Sequence, residues 1–268
     1  MGRAQRMSLK DAFTSILGGR RGSDRDDKIT DDKLYHHTLP QKDEVWCLFE
    51  GGPLHRDEGP AIITSNGTQF WYHHGLKHRL DGPAVIAPNG DEEWYYNGEK
   101  HREDGPAVEK MEGLKQWYSH DKLHRENGPA VLYAEGGYGW YLEGLAHRED
   151  GPAYEFPNGD QEWWIKGERH RDDGPAQIRQ DGTEIWYQKG QKHRQDGPAE
   201  IDKDGNKTWY YHGKKHRLDG PAWESHDGKS WSWWKDDQMH REDGPAVKHT
   251  DGTTEYWLQG RMIKRVTL

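Results

Sequence analysis

One heptad, His-Arg-Glu-Asp-Gly-Pro-Ala at 147–153, returns in close copy from His55, His78, His101, His124, His147, His170, His193, His216 and His240. Seven successive intervals are 23 residues and the last is 24. A fixed period of this length marks stacked supersecondary units, none of which can bury an apolar face alone. It also separates structure from chemistry. A catalytic centre needs its histidine once, whereas a structural joint needs it at every joint.

Each copy is numbered here from its histidine as offset zero. Arg stands at offset one and Gly-Pro-Ala at offsets four to six in all nine copies, and offset twelve is always Gly. Offset sixteen is Trp seven times: Trp71, Trp94, Trp117, Trp140, Trp163, Trp186 and Trp209. Offset seventeen is always Tyr or Trp, and offset twenty is Gly seven times. In the copy that follows His78, the short β-rich run at 83–87 begins with a proline, a residue suited to a strand start. Asn89-Gly90 is a hairpin signal, because both residues tolerate positive φ. Glu92–Tyr96 is the returning strand, and Asn97-Gly98 turns the chain again. The heptad then leads to the next hairpin. Its Gly is expected at positive φ, its Asp should accept backbone N–H groups, and Pro fixes φ at the strand start. Arg should pair with that Asp and donate to carbonyls of the adjacent loop.

The expected fold is therefore all-β: an elongated single-sheet array of about nine 23-residue β-hairpins. Offsets sixteen and seventeen point to opposite faces. A Trp column and a Tyr column result, and the Trp column is expected to be the more buried. Composition agrees with a thin aromatic core. Only 31% of residues are hydrophobic, yet 14 Trp and 13 Tyr are present, and each aromatic side chain buries roughly 150–250 Å².

The repeat resembles the MORN family, in particular its variant with Trp-Tyr-x-x-Gly-x-x-His-Arg-x-Asp-Gly-Pro-Ala units. Tyr95, Gly98 and His101 occupy the matching places, and the resemblance covers about residues 46–263. It implies β-hairpin repeats, and a scaffold or docking surface more often than an enzyme. Some members bind membranes or phospholipids. Arrays of this variant are frequent in large DNA viruses and in some phages and bacteria. Here Asp-Gly-Pro-Ala replaces the family's small Gly-x-Gly segment, so its lipid contacts are not carried over.

Several functions are disfavoured by the residues themselves. Equivalent histidines about 10 Å apart cannot share one zinc, whose bound nitrogens lie within about 4.2 Å of each other. No metal site and no cofactor are expected. No serine recurs at a fixed offset, and the one cysteine, Cys47, lies outside the heptads, so no catalytic residue is assigned. The chain carries a net charge of −9. Residues 1–22 hold five basic side chains against Asp11, which is +4 and leaves −13 for the remainder. That body should repel nucleic acid and anionic lipid. Carbohydrate or host-surface binding through exposed rings stays as an alternative, as does association with membranes through the basic arm. No secretory signal or transmembrane run is read, and a single cysteine implies no disulfide. A cytoplasmic or virion-associated location fits.

The stretches that break the repeat are the candidates for specific contacts. Residues 1–32 form an arm with a short amphipathic helix over about 8–17 and a charged linker. Ser8 and Asp11 make a capping pattern, and Leu9, Phe13, Ile16 and Leu17 share one face. A helix this short needs a surface. That surface is either the chain's own first hairpin or another protein, with Leu9, Phe13, Ile16, Leu17, Arg20 and Arg21 as the contact residues; the partner is preferred. Residues 33–54 read as a worn capping unit with Leu48 and Phe49 at the aromatic positions. Residues 55–262 are the repeats, and 263–268 a capping strand that covers the last edge. Trp223, Trp231, Trp233 and Trp234 surround the one 24-residue interval. There Ser232 reads as a gap in the Trp column, filled by the extra ring, or else the four rings form a contact patch. The expectation is a non-enzymatic scaffold, adaptor or virion component. Its arm docks to a protein partner in a larger assembly while the acidic body faces another, and self-association is compatible with this.

Overall fold

The structure, a computed structural model, describes residues 33–267. The arm and its six contact residues lie outside that range. The described chain is all-β, without an α-helix. It forms two compact units: residues up to 124 with 130–134, and residues 125–129 with those from 135 onward.

In the first unit the strands Tyr35–Thr38, Glu44–Cys47, Ile62–Ile63, Gln69–Phe70, Val85–Ile86, Glu92–Glu93, Val108–Glu109, Lys115–Gln116 and Val131–Leu132 pair antiparallel in chain order. In the second, the same meander runs from Tyr138–Gly139 to Arg261–Val266. Beside this meander each repeat carries a second, separate two-stranded ladder, such as Tyr95–Tyr96 with Glu99–Lys100. A repeat is thus two hairpins rather than one.

The two turns differ, and only one follows the expectation. At the second, Asn97 (φ 49°) and Gly98 (φ 88°) are both left-handed, which is the type I′ geometry. At the first, Gly90 is left-handed but Asn89 is not. Gly90 N–H donates to the Ala87 carbonyl and Ala87 N–H to the Asp91 carbonyl, both at 2.9 Å. This is a type I turn with a bulge glycine. Asn89 contributes through its side chain instead, accepting the Asp91 N–H at 3.2 Å.

The buried column is alanine. The nine offset-six alanines, from Ala61 to Ala246, are each 0% exposed. The tryptophans are only half-buried, and so are the rings of offset seventeen, so the Trp column does not stand out as the more buried of the two. Each Trp instead sits where the meander strand ends. Trp94 N–H donates to the Ala107 carbonyl at 2.8 Å, and the Trp94 carbonyl accepts the His101 N–H at 3.3 Å. A Cβ-only side chain lets the next strand approach this junction closely. Offsets seven and fifteen face each other across the sheet, as Gln177 does Ile185 and Trp223 does Ser232.

Three local readings change. Trp46, not Leu48 or Phe49, holds the aromatic position of the N-terminal unit: its N–H donates to Ala61 and its carbonyl accepts from His55. A tight turn from Phe49 to Gly52 inserts two residues and displaces the count. The extra residue of the 24-residue interval lies in the first turn, where Ser225 N–H reaches Ser230 rather than a residue four along. Trp233 therefore continues the Trp column, and Ser232 belongs to the buried offset-fifteen column, so no gap exists. At the C-terminus Arg261–Val266 pairs back along Thr254–Leu258, with Val266 opposite Thr254. The capping strand begins two residues earlier than expected.

The heptad glycine is not left-handed. Its constraint is space: a Cβ on Gly105 would lie 2.8 Å from the Arg102 guanidinium carbon. Gly105→Ala should lower stability by about 1–3 kcal/mol through overpacking. Adding Arg102→Ala should make the double variant less destabilised than the sum of the two single changes. Denaturation midpoints of the four proteins measure this coupling; strict additivity would show that the glycine serves something other than the arginine.

Candidate functional site in the repeated loops

Each heptad loop is assembled around its arginine. The guanidinium lies 4.0–4.4 Å over the ring of the Trp that ends the preceding hairpin, in eight pairs from Arg56 on Trp46 to Arg241 on Trp233. The same group donates through Nη1 to the carbonyl of the heptad proline, as Arg102 does to Pro106 at 3.2 Å. Through Nε it donates to the heptad aspartate, as Arg102 does to Asp104 at 2.8 Å. Its carbonyl acceptor is therefore in its own loop rather than in the adjacent one, while Arg102 also reaches Glu109 and Arg148 the Tyr138 hydroxyl. The hydrogen bond and charge of Arg102 hold the Asp104 carboxyl below its usual range. That carboxylate still faces water, with 84% of the side chain exposed.

The histidine is equally committed. In seven repeats its Nδ1 accepts a backbone N–H from the type I′ turn nineteen or twenty residues on: His55 from His74, His78 from Asn97, His147 from Lys166, His170 from Lys189, His193 from His212, His216 from Asp236 and His240 from Gln259. Nδ1 is then bare and Nε2 carries the proton, which in four of these repeats points towards an acid at offset two, as in His170 and Asp172 at 3.2 Å. His101 lacks this bond. Its turn has Asp121 (φ 62°) in the glycine position, and its ring lies 4.3 Å from that of His120, tilted by 31°. The Asp121 carboxylate accepts the Lys100 N–H at 2.7 Å, and Asp237 does the same for Lys215. This local bond is what lets aspartate replace glycine there.

A second cation–aromatic column involves the offset-seventeen rings. Lys77 Nζ lies 4.6 Å over Tyr95, Lys192 5.0 Å over Tyr210 and Arg169 4.9 Å over Trp164. Tyr95 also donates to Glu93 at 3.0 Å. Burial alone would raise the Glu93 pKa, but Lys110, Lys100 and Tyr95 overcome it and hold the carboxyl low. Burial pushes the Tyr72 and Tyr210 hydroxyls up.

The four tryptophans near 231 do not form one patch. Arg241 covers Trp233 at 4.3 Å and reaches Trp231 at 5.9 Å. Trp234 donates from Nε1 to Ser232 Oγ at 2.7 Å, and Trp223 faces Ser232 across the sheet. All four rings are half-buried.

What remains outward is the rim of the loops. Open concavities of about 580, 560 and 450 Å³ lie between consecutive loops, lined by heptad Arg, Asp and His with the offset-sixteen Trp. Their outermost side chains are the offset-two and offset-three residues. Most residues at these two offsets are acidic, but Leu80, on the first concavity, and Leu218, in a later repeat, are 82% and 77% exposed. The charge signal was legible in the sequence; the two leucines were overlooked because an isolated Leu between polar residues resembles any surface residue.

No family model matches the chain, and no curated protein does. Among the described residues no helix is long and apolar enough to cross a membrane.

The histidine bonds predict an acid sensitivity. Burial first, then the neighbouring His212, lowers the His193 pKa below its ordinary value near 6.5. The folded state thus binds this proton less readily than the unfolded chain. The contribution is complete above the unfolded pKa and is lost as pH falls through it towards the folded value. Unfolding midpoints should decline between pH 7 and pH 5, before most carboxylates titrate. His193→Asn should flatten part of that slope, and an unchanged slope would deny His193 this role.

Proposed function

We propose that this chain is a non-enzymatic scaffold or adaptor of the MORN-like kind that its heptads resemble, binding a protein partner along the rims of its loops. One observation carries the reading. The groups that would do chemistry, the heptad His and Arg, are engaged in bonds that hold the loops and turns together, and what faces outward is repeated carboxylate with two leucines. Such a rim suits a basic partner surface with apolar pockets at intervals, where a few buried anchors dominate affinity. The N-terminal arm is the second docking element, with Leu9, Phe13, Ile16 and Leu17 as its apolar face. A cytoplasmic or virion-associated place in a larger viral or phage assembly is the context the resemblance suggests. The half-covered indoles give a sugar ring no open platform, which favours a protein partner over carbohydrate.

The test is recovery of partners from the native source by the full chain, the chain lacking residues 1–27, and the double variant Leu80→Glu with Leu218→Glu. Both leucines are exposed, so the double variant should keep its unfolding midpoint. Partner affinity should fall at least tenfold for the double variant, and a distinct partner should be lost with the arm. Identical recovery by all three proteins would remove both docking elements.

A further inference from the structure

The first repeat contains a group of side chains that no other repeat reproduces. Its type I′ turn reads His73-His74-Gly75-Leu76. His74 takes the left-handed turn position (φ 49°), and its N–H caps Nδ1 of His55 at 3.2 Å. That register folds both turn histidines over the heptad histidine. Ring centroids are 4.8 Å apart for His55 and His73, 4.7 Å for His55 and His74, and 4.3 Å for His73 and His74. One nitrogen from each of the three rings lies within 4.8 Å of the others. Asp57 adds a carboxylate, 3.5 Å from His55 Nε2 and 3.9 Å from His73 Nε2.

We propose that His55, His73 and His74, with Asp57 beside them, bind one divalent transition-metal ion of the zinc class. Three imidazoles and a carboxylate are a borderline-soft donor set of the kind such ions take, whereas calcium and magnesium require oxygen ligands. Zinc–nitrogen bonds of about 2.0–2.1 Å place tetrahedral ligands roughly 3.4 Å apart, so the nitrogens must close by somewhat more than an ångström. His73 and His74 are exposed and rotate about their side-chain torsions to do so, while His55, 2% exposed, is the fixed member.

Binding has a defined cost. His55 now carries its proton on Nε2, the nitrogen beside His73 and Asp57. Coordination through Nε2 moves that proton to Nδ1, which then no longer accepts the His74 N–H. The ion therefore exchanges one turn hydrogen bond for three coordinate bonds, and the turn's N–H becomes a reporter of occupancy. Equivalent histidines of successive repeats are too far apart to share an ion, but the extra ligands of this cluster come from the turn.

The protein supplies its own controls. His101 with His120 and His193 with His212 have the same offset-nineteen contact, at 4.3 and 4.5 Å, but lack a histidine at offset eighteen. Among the described residues no other group of three such ligands converges.

Calorimetric titration of the full chain with Zn²⁺ at neutral pH, and with Co²⁺ followed by its visible absorption, tests the site. One ion per chain is expected, with tetrahedral cobalt bands and a change in the His74 amide resonance. His73→Gln and His74→Asn should each weaken binding at least tenfold while leaving the unfolding midpoint of the metal-free protein within a few degrees; asparagine tolerates the left-handed position of His74. Asp57→Asn should weaken binding about tenfold or more. His120→Asn and His212→Asn should bind as the parent does. No saturable binding, equal weakening by His120→Asn, or wild-type affinity in His73→Gln would overturn the assignment.

Discussion

The arginine stacked on tryptophan is the interaction on which each repeat depends. It joins three pieces that would otherwise be independent: the strand end that carries Trp, the loop that carries Asp and Pro, and the glycine on which the guanidinium rests. In the Arg102 loop one side chain covers Trp94 at 4.0 Å, donates to Asp104 and Pro106, and also meets Glu109 at 3.1 Å. Lysine would keep the charge but lose the planar fork that makes these contacts together. Each stack is worth about 0.5–1 kcal/mol when exposed and about 2 kcal/mol when desolvated. The half-buried setting lies between those limits, and the term recurs in repeat after repeat.

This explains how a chain with 31% hydrophobic residues folds at all. A sheet of two-residue strands has little apolar face to bury. Its dry interior is a line of alanines, and alanine contributes little transfer free energy by itself. What alanine provides is close approach, so that the Trp junction of one strand can hydrogen-bond to the next. The aromatic rings then lie over that junction and are closed from outside by cations rather than by aliphatic side chains. Arg does this on the Trp side and Lys or Arg on the Tyr side, with carboxylates such as Glu93 and Glu162 neutralising the inner cations. Burial of charge is tolerated where the groups pair, as Lys110 does with Glu93, Arg169 with Glu162 and Lys192 with Glu200.

The period, the all-β class and the type I′ turn at 97–98 were legible in the sequence because each rests on residues with few other uses at that spacing. The heptad glycine was legible as essential but not for the right reason. Left-handed backbone and close approach both demand glycine, and a sequence does not distinguish them. The Arg–Trp stack was missed although its signal was present: from Trp71 to Trp209 every offset-sixteen Trp has Arg eight residues on, and at Trp233 the spacing holds again. Local pairing of Arg with Asp is also real, and it hid the longer contact. The tryptophan column was placed too deep because ring size was equated with burial. The worn N-terminal unit was misaligned because its Phe49–Gly52 turn inserts two residues between Trp46 and His55.

Because the repeated residues are occupied by one another, distinctive behaviour has to come from positions where the repeat varies without loss of its frame. Asp121 and Asp237 show how narrow that freedom is at the turns, since each replaces glycine only by adding a bond to the preceding repeat. Offset two is freer. It takes Asp, Glu, Gln or Leu; an acid there lies beside the heptad His Nε2, as Asp172 does at 3.2 Å, but the repeats with Leu80 and Leu218 keep the same bond from turn to histidine. Offset eighteen varies widely, and offset nineteen varies among residues that accept the left-handed backbone found there in every repeat. A histidine there keeps the turn, as His74, His120 and His212 show, and lies against the ring of offset zero. Placing two at once, as in the first repeat, turns a structural joint into a set of converging ligands. The constraint that makes every heptad alike thus also marks which few side chains evolution can change at will.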